Sequence, residues 1–338
     1  MTVSKVMRDA ADISAATKER VRSLARQMGY VPDSSAQGLR TRSTKLFGLL
    51  VSSMTNPIFS RIVMAIEERA HELGFEVILS HTLNIPEREE IAIRRLIARR
   101  VSGLFVSPVY RLETEAPVYQ ELQRSGIPAI ILGHVAPFCS PFANVETDDV
   151  QASYLAARHL LQLGHRRIAF FAGPQASPWA QERFDGYRRA LRETDVAVDD
   201  KLVFAAGSTI EEGMKAALQM LNEAVDATAV QAVNDLVAIG AATVFFNQGI
   251  RIPEDLSLVG FGNILTSEHF RVPLTTVRQP KFRLGVAAMN SMLKLMRGER
   301  PEPKRLPAEI VVRASTAALP TNRRATPKPV ESTESRSL

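Results

Sequence analysis

The chain has 338 residues, a hydrophobic content of 45% and a formal net charge of +6. This length allows two or three separate cores. The single cysteine, Cys139, excludes an internal disulfide and any metal site built from several cysteines. No apolar run approaches the roughly 20 residues that cross a bilayer, and the N-terminus lacks the apolar core of a secretory signal. We therefore expect a cytoplasmic protein without a membrane partner.

The positive charge is concentrated in residues 1–45, which carry nine Lys and Arg residues against four acids, a net of +5. Residues 319–338 carry +2, so residues 46–318 are close to neutral, with a net of −1. A basic head on a neutral body indicates that the head contacts a polyanion while the body does something else.

In chain order, the first predicted element is an amphipathic helix in the head. Its apolar residues follow i, i+3, i+4, i+7 spacing: Val21, Leu24, Ala25 and Met28. Ser14 is the expected N-cap, Gly29 stands where a left-handed C-cap residue would, and Pro32 blocks continuation. Residues 33–45 are polar and basic, which is typical of a linker or a marginal helix.

From Leu46 onward, apolar strands and amphipathic helices alternate. A first unit has predicted strands at 46–51, 75–80, 103–107 and 129–132, with helices at 58–73, 87–100 and 115–124. A second unit has predicted helices at 150–163, 179–192, 210–221 and 235–247, with strands at 168–172, 202–205, 229–232 and 256–260. The repetition predicts two similar α/β domains with parallel sheets and a ligand cleft between them, at the carboxyl ends of the strands.

Motifs of enzymatic chemistry are missing from the sequence. It contains no Walker-type loop, no G-x-S-x-G and no H-E-x-x-H. Gly260-Phe261-Gly262 follows a strand but lacks the third glycine of a dinucleotide fingerprint. His159 and His165 read as helix-end residues rather than metal ligands, and we expect neither a metal nor a cofactor. An α/β enzyme is therefore the least favoured hypothesis.

A series of motifs resembles the lactose-repressor (LacI/GalR) family of transcriptional repressors, whose body is similar to periplasmic sugar-binding proteins. The motifs follow the family's order: Thr2–Val6, Thr17–Tyr30, Ala36–Thr41, Asn56–Phe59, Leu163–Ile168, Arg183–Tyr187, Asn234-Asp235, Pro253–Phe261 and Pro273–Val277. Any one of them is weak evidence, but their common order makes an accidental match very improbable. The resemblance covers residues 2 to about 318.

The resemblance implies two periplasmic-binding-protein-like subdomains after a small, incomplete all-α DNA-binding head. It places a partial helix-turn-helix in 1–32 and a hinge in 33–45. The N-terminal subdomain would comprise 46–147 and 279–302, and the C-terminal one 148–278 and 303–318. We expect 319–338 to be disordered, because this segment has little apolar surface. The family's first DNA-binding helix has no counterpart before Met1, so the head is expected to be truncated.

The head residues that match the family's DNA-contacting positions are short side chains of a recognition helix and residues of the hinge. The resemblance assigns DNA contacts to Thr2, Val3, Ser4, Lys5, Tyr30, Leu39, Arg40 and Arg42. Leu39 matches a minor-groove wedge, whereas Arg40 and Arg42 would pair with phosphates. The residue-level alternative for the first four is an ordinary frayed N-terminus.

The cleft residues that match the family's ligand-contacting positions are Ile58, Phe59, Asp148, Trp179, Arg183, Asn234 and Gly262. Phe59 and Trp179 would stack on the ligand, and the planar fork of Arg183 suits hydroxyls, a carboxylate or a phosphate. Two alternatives stay open: Asp148 could be a helix N-cap, and Arg183 could form a salt bridge with Asp185 or Glu182. Sugar-binding members usually have aspartate where this chain has Gly262, which favours an acidic or phosphorylated sugar or another small polar ligand over a simple neutral sugar.

The leading hypothesis is a repressor that binds pseudo-palindromic operator DNA as a homodimer under the control of a small-molecule effector. The alternative is a small-ligand sensor with a vestigial head that does not bind DNA. This second hypothesis depends on the missing first helix. The two differ in whether the protein with its upstream residues restored binds DNA.

Overall fold

A computed structural model describes residues 2–7, 9–30 and 44–319 of the chain. The head contains two helices, α1 (Thr2–Met7) and α2 (Ala15–Gln27). Both predicted caps of α2 are confirmed, because the Ser14 side chain accepts a hydrogen bond from the Thr17 amide and Gly29 has a φ of +62°.

The apolar face of α2 is only partly covered by the described residues. Val6 of α1 is fully buried and Ala25 is nearly so, whereas the exposed fractions of Leu24 and Met28 are 55% and 73%. The periodicity therefore predicted the helix, and α1 covers one part of its apolar face. The DNA contacts expected of Leu39, Arg40 and Arg42 lie outside the described residues.

The first lobe is a parallel sheet covered by helices on both faces. Before the chain first passes to the second lobe, the elements of this lobe are β1 (Leu46–Val51), α3 (Ile58–Glu72), β2 (Glu76–His81), α4 (Pro86–Ala98), β3 (Gly103–Val106), α5 (Pro117–Arg124), β4 (Ala129–Leu132) and β5 (Ala143–Thr147). The strands form because they are short apolar runs, and β1, β3 and β4 are almost entirely buried.

The second lobe repeats the alternation. It contains α6 (Asp149–Gln162), β6 (Ile168–Ala172), α7 (Pro178–Glu193), β7 (Val203–Ala205), α8 (Ile210–Asn222), β8 (Ala229–Ala232), α9 (Asp235–Asn247), β9 (Ser257–Gly262), α10 (Leu265–Glu268) and β10 (Thr275–Arg278). The chain then returns to the first lobe for α11 (Lys281–Met296) and β11 (Lys304–Leu306), and ends in β12 (Glu309–Val311) on the second sheet.

The two sheets have the same strand order. The first runs β11-β5-β4-β3-β1-β2 and the second β12-β10-β9-β8-β6-β7. All pairs are parallel except β10 with β12. The predicted α/β architecture of two similar parallel-sheet subdomains is therefore confirmed, and the carboxyl ends of both sets of strands border one cleft.

Several elements were not predicted from the sequence: β5, β10, β11, β12, α10 and α11. The strands among them contain polar or charged residues, so they lack the continuous apolar run of equally short strands such as β3 and β4. β11 lies in the range 303–318 that the sequence assigned to the second subdomain, but it pairs with β5 of the first sheet. Two exposed basic residues, Lys304 and Arg305, hide this edge strand from a hydrophobicity pattern.

Three crossings connect the lobes, at Asp148, Gln279 and the turn after Leu306. The Asp148 amide donates to the Leu306 carbonyl at 2.9 Å. The Gln279 side-chain amide donates to the Thr147 hydroxyl at 3.1 Å. These bonds tie the three connections together on the side where both sheets face the cleft.

Candidate functional site: a polar cleft between the lobes

A cavity of about 440 Å³ lies between the two lobes. This volume falls within the usual range for small-ligand sites. Its walls come from residues that follow the carboxyl ends of strands in both sheets. Six of the seven ligand residues expected from the sequence line it: Ile58, Phe59, Trp179, Arg183, Asn234 and Gly262.

Arg183 is the fixed charged group of the second-lobe wall. Its side chain is 7% exposed, its Nε donates to Asp149 Oδ1 at 3.0 Å and its Nη1 donates to the Val233 carbonyl at 2.7 Å. The guanidinium carbon lies 3.6 Å from the centre of the Phe261 ring and 4.7 Å from that of Trp179. Burial lowers the pKa of Arg183, and Asp149 opposes this effect. The guanidinium is therefore held in one orientation by a carboxylate, a carbonyl and two rings.

The partner of Arg183 differs from the two acids considered in the sequence. Asp185 pairs instead with Arg188 at 2.6 Å on the exposed face of α7. Asp149, at the start of α6, reaches Arg183 because the first turns of α6 pack closely against α7. Gly186 permits this packing, since a Cβ there would lie 2.2 Å from the Val150 carbonyl oxygen.

Asp148 is not among the residues that line the cavity, in contrast to the expectation for this position. It is the N-cap of α6, and its Oδ1 accepts a hydrogen bond from the Gln151 amide at 3.1 Å. Successive residues at the strand-to-helix junction point in opposite directions. Asp149 therefore enters the cleft and Asp148 turns towards the helix end, so the capping alternative fits the structure.

Asn234 lines the cavity, but both ends of its side chain already have partners. Its Oδ1 caps α9 by accepting from the Val237 amide at 2.8 Å, and its Nδ2 donates to the Ser208 carbonyl at 3.0 Å. Asn234 therefore fixes the loop at Ser208, which also lines the cavity.

Asp235 is a buried carboxylate that accepts hydrogen bonds from three separate residues, rather than a simple helix cap. Its carboxylate accepts hydrogen bonds from the Thr276 hydroxyl at 2.5 Å, the Ser267 hydroxyl at 2.8 Å and the Ile264 amide at 2.9 Å. Burial raises the pKa of Asp235, and the bond from Thr276 opposes this most strongly. Asp235 thereby fixes the loop after β9, which forms one wall of the cleft.

Gly262, the last residue of β9, has a backbone conformation that favours glycine. Gly262 has a φ of +136°, and its carbonyl oxygen accepts a hydrogen bond from the Lys281 ammonium at 2.6 Å. The same ammonium donates to the Asn263 carbonyl at 2.7 Å. Burial lowers the pKa of Lys281 to about 8, and Asp235 opposes this effect.

The first-lobe wall combines apolar side chains with a buried support beneath them. Phe59 packs against the first-lobe core and lines the cavity beside Ile58. Beneath the loop after β3, the carboxylate of Glu89 accepts a hydrogen bond from the Val109 amide at 2.7 Å. The next residue, Tyr110, lines the cavity and donates its hydroxyl proton to the His134 carbonyl at 2.7 Å.

His134 is a cleft residue that the sequence did not reveal. It follows β4, its side chain is 6% exposed, and its Nε2 lies 3.0 Å from Glu182 Oε2 in the second lobe. The Nε2 also lies 3.6 Å from Asp149 Oδ2 and 3.9 Å from Glu146 Oε2. A lone histidine after a short strand carries no sequence signal, because its three acidic neighbours are far away in the chain.

In the head, Val3 is 44% exposed and Tyr30 is 50% exposed. Lys5 is also exposed, and its ammonium lies 2.5 Å from Asp12 Oδ2. Thr2 and Ser4 also lie in α1, and the structure describes only the backbone of these two residues. The expected DNA contacts of these residues remain predictions.

Within 2–7, 9–30 and 44–319, no helix combines the length and apolar character required to cross a membrane. Over the same ranges, no group of three or more His, Cys, Asp or Glu side chains has an arrangement that could hold a metal ion.

Two α/β lobes around a ligand-sized cleft, joined to a small helical head, define a class of transcription regulator with a periplasmic-binding-protein-like body. Residues 1–33 match the model of the bacterial regulatory proteins of the lacI family, and residues 157–316 match that of a periplasmic binding protein-like domain. The HTH-type transcriptional regulator DegA of Bacillus subtilis (strain 168) is 32% identical over 95% of this chain and 95% of its own length. The chain belongs to the lacI family of bacterial regulatory proteins.

Solved structures of transcriptional regulators have the same fold as this chain. The lac repressor dimer bound to operator and the anti-inducer ONPF superposes with a TM-score of 0.82 at 30% identity, covering 94% of this chain and 95% of that one. The complex of the transcriptional regulator CelR with cellobiose has a TM-score of 0.72 at 30% identity, covering 92% and 94% of the two chains. The similarity therefore includes both lobes.

Proposed function

We propose that this chain is a transcriptional repressor whose affinity for operator DNA is controlled by a small hydroxylated ligand bound between the lobes. The observation that carries the proposal is the cavity of about 440 Å³ with Arg183 held at its wall between Asp149 and two aromatic rings. A fixed guanidinium with aromatic surface beside it suits a compact ligand that has hydroxyl groups and an apolar face.

The charges around the cleft favour a neutral ligand over an acidic or phosphorylated one. Arg183 is already paired with Asp149, and Arg305 is paired with Glu146 and Glu182. An anionic ligand would have to displace one of these carboxylates or approach it. Neutral hydroxyl groups can accept from Arg183 and donate to Asp149 without breaking the pair. We therefore propose a sugar or a similar neutral polyol, and this revises the preference drawn from Gly262 alone.

In this proposal, Ile58, Phe59 and Trp179 provide the surface against which the ligand packs, and Arg183 with Asp149 binds its hydroxyl groups. Asn234 and Gly262 shape the wall. The protein acts as a homodimer on pseudo-palindromic DNA, because two heads placed on adjacent half-sites need two copies of the chain. Ligand binding shifts the lobes between two arrangements and so changes the spacing of the heads.

A thermal-shift screen tests the ligand half of the proposal. Neutral sugars should raise the melting temperature, whereas the matching sugar acids and sugar phosphates should not. The Arg183→Lys variant should bind the best sugar at least about tenfold more weakly, since lysine cannot keep both the Asp149 contact and the ring contacts. Arg188→Lys, on the exposed face of the same helix, is the matched control and should bind normally. Stabilisation by the anions alone would contradict a neutral ligand.

Fluorescence anisotropy with labelled DNA tests the repressor half. We expect specific binding to a pseudo-palindromic site, with an observed affinity that falls steeply as salt increases. The best sugar from the screen should change that affinity. Sugar binding by the chain without specific DNA binding would replace the repressor with the alternative of a ligand sensor.

A further inference from the structure

The two lobes are held to each other by charged side chains at the edge of the cleft. We call these residues the interlobe charge cluster: His134, Glu146 and Arg305 of the first lobe, and Asp149 and Glu182 of the second. They come from five separate elements or loops, so no local sequence pattern brings them together.

Glu182 is the group that crosses from one lobe to the other. One of its carboxylate oxygens lies 3.0 Å from His134 Nε2, and the other accepts a hydrogen bond from Arg305 Nη2. Arg305 also donates from Nε to Glu146 Oε1 at 2.8 Å. A carboxylate on α7 is therefore held by two basic groups of the opposite lobe, and both contacts must break if the lobes separate.

The protonation state of His134 decides whether the cluster is electrically balanced. The imidazole faces Glu146 from β5, Asp149 from the start of α6 and Glu182 from α7. Two further charged groups stand behind these acids, since Arg183 pairs with Asp149 and Arg305 pairs with Glu146 and Glu182.

Two more polar groups lie near His134 or its partners. The Tyr110 hydroxyl is neutral and donates a hydrogen bond to the His134 carbonyl. Asp148 Oδ1 lies 3.7 Å from Nη1 of Arg305, the cation that also contacts Glu146 and Glu182. With an imidazolium, the three inner carboxylates are matched by three cations. With a neutral imidazole, one buried carboxylate loses its compensation, which is unfavourable in a site with little water.

We propose that the interlobe charge cluster is a proton-dependent latch, in which protonated His134 holds Glu182 and keeps the lobes together, and loss of this proton releases them. The latch acts on the lobes themselves and does not require that the cavity bind a sugar.

The direction of the pH effect follows from the surroundings of His134. Burial lowers the pKa of His134, but the contacts with Glu182, Asp149 and Glu146 outweigh burial and raise the pKa above its ordinary value of 6.5. Separation of the lobes would return the imidazole to water and its pKa towards 6.5. The joined arrangement therefore binds the proton more tightly, and its advantage is full below pH 6.5 and is lost as the pH rises through the raised pKa.

Glu182 stays ionised over this range. Burial raises its pKa, but the contacts with His134 and Arg305 outweigh burial and lower it below the ordinary value of 4.5. Burial raises the pKa of Asp149, while Arg183 and His134 oppose this effect. The His134→Gln variant therefore serves to assign a transition near neutral pH to the imidazole.

Trp179 provides the measurement, because it is the single tryptophan of the chain and lines the cleft between the lobes. We would titrate the full chain, without ligand, from about pH 5.5 to about pH 9 and follow tryptophan emission. The expected result is a red shift with rising pH, with a one-proton midpoint above 6.5. In His134→Gln this transition should vanish, whereas His159→Gln should retain it. His159 is a matched control, since it is a part-buried histidine of the second lobe that contacts Thr316.

Glu182→Gln gives a second, independent result that does not remove the histidine. It should move the midpoint downwards towards 6.5, because the nearest carboxylate is replaced by a neutral amide. Circular dichroism establishes that each variant is folded. An emission that is constant with pH in the unaltered chain would overturn the proposal, as would a transition retained by His134→Gln. If His134→Gln does not fold, an unchanged midpoint in Glu182→Gln overturns it.

Discussion

The first and second lobes have the same strand order, and each contains a buried carboxylate beneath the loops that line the cleft. In the first lobe this group is Glu89, which contacts the guanidinium of Arg111 and accepts from the Tyr119 hydroxyl at 2.7 Å. In the second lobe it is Asp235, which accepts from two hydroxyls and one backbone amide. The side chains of both acids are surrounded by protein, but only Glu89 touches a cation directly.

This difference shows that a buried carboxylate beneath the cleft loops can be stabilised in two physical ways, here on helices at different places in the two lobes. Burial raises the pKa of both carboxyls, so both sites work against desolvation. The first lobe compensates the charge with an ion pair. The second lobe compensates it with neutral donors, and its nearby cation, Lys281, is bound to two backbone carbonyls instead. The Glu89 site should therefore depend on charge and the Asp235 site on the position of its donors.

The largest expected effect is the loss of the ion pair in the first lobe. Glu89→Ala leaves Arg111, whose side chain is 10% exposed, without its carboxylate, and should lower the free energy of unfolding by about 3–5 kcal/mol. Asp235→Ala leaves hydroxyls that can turn to other acceptors, so it should lose less, about 1–3 kcal/mol for the stranded Ile264 amide. Urea unfolding followed by circular dichroism measures both variants.

Amide variants separate charge from shape in the same pair of sites. Glu89→Gln and Asp235→Asn keep the size of each side chain and remove its charge. If the comparison between the lobes is correct, Glu89→Gln remains the more damaging of the two. Equal losses from the two amide variants would show that the charge of Glu89 has no special role.

A smaller effect is expected where helices pack closely at a glycine in each lobe. In the second lobe, a Cβ on Gly240 of α9 would lie 2.0 Å from the Ile210 carbonyl oxygen. In the first lobe, a Cβ on Gly285 of α11 would lie 2.6 Å from the Ile62 carbonyl oxygen. Gly240→Ala should destabilise by about 3 kcal/mol and Gly285→Ala by about 1–2 kcal/mol, because the shorter contact requires the larger helix shift. Thermal unfolding gives the order, and a reversed order would mean that α11 is the more rigidly packed helix.

The sequence was sufficient for elements that carry their own periodicity or turn chemistry. The strand at Leu46–Val51 and the helix at Asp235–Asn247 have the predicted bounds, since the first is a continuous apolar run and the second begins directly after its capping residue, Asn234. Short edge strands such as Lys304–Leu306 could not be found, because their pairing comes from the sheet and not from their own residues.

The cleft was predictable only in part, for a related reason. Arg183 could be assigned through the motif that it begins, and Trp179 through its position four residues before Arg183; both line the cavity. His134 and Glu182 could not be paired, because a contact at 3.0 Å between lobes depends on how two sheets face each other. Likewise, whether Asp148 faces the cleft or caps its helix depends on the direction of one turn, which the sequence left open.

The smallest effect is expected at Gly262 of the second-lobe wall. According to the family resemblance, sugar-binding members usually have aspartate at this position. Gly262 has a φ of +136°, and a Cβ there would lie 3.3 Å from Asp235 Oδ2. Gly262→Ala should cost about 1 kcal/mol through backbone strain. Gly262→Asp should cost more at neutral pH, because it adds a second carboxylate next to a buried one that is held by neutral donors. Gly298→Ala is the control for strain alone, since it has a φ of +77° and no atom within 4 Å of the added Cβ.

The pH dependence of this last pair identifies the cause. Protonation of either carboxyl removes the repulsion, and burial already raises the pKa of Asp235. The difference in stability between Gly262→Asp and Gly262→Ala should therefore shrink as the pH falls, while the difference between Gly262→Ala and the unaltered chain stays constant. Unfolding measured at neutral and acidic pH decides the matter. If Gly262→Asp is as stable as Gly262→Ala at neutral pH, then the wall has room for an acid, and the glycine at this position reflects the choice of ligand rather than the needs of the buried Asp235 carboxylate.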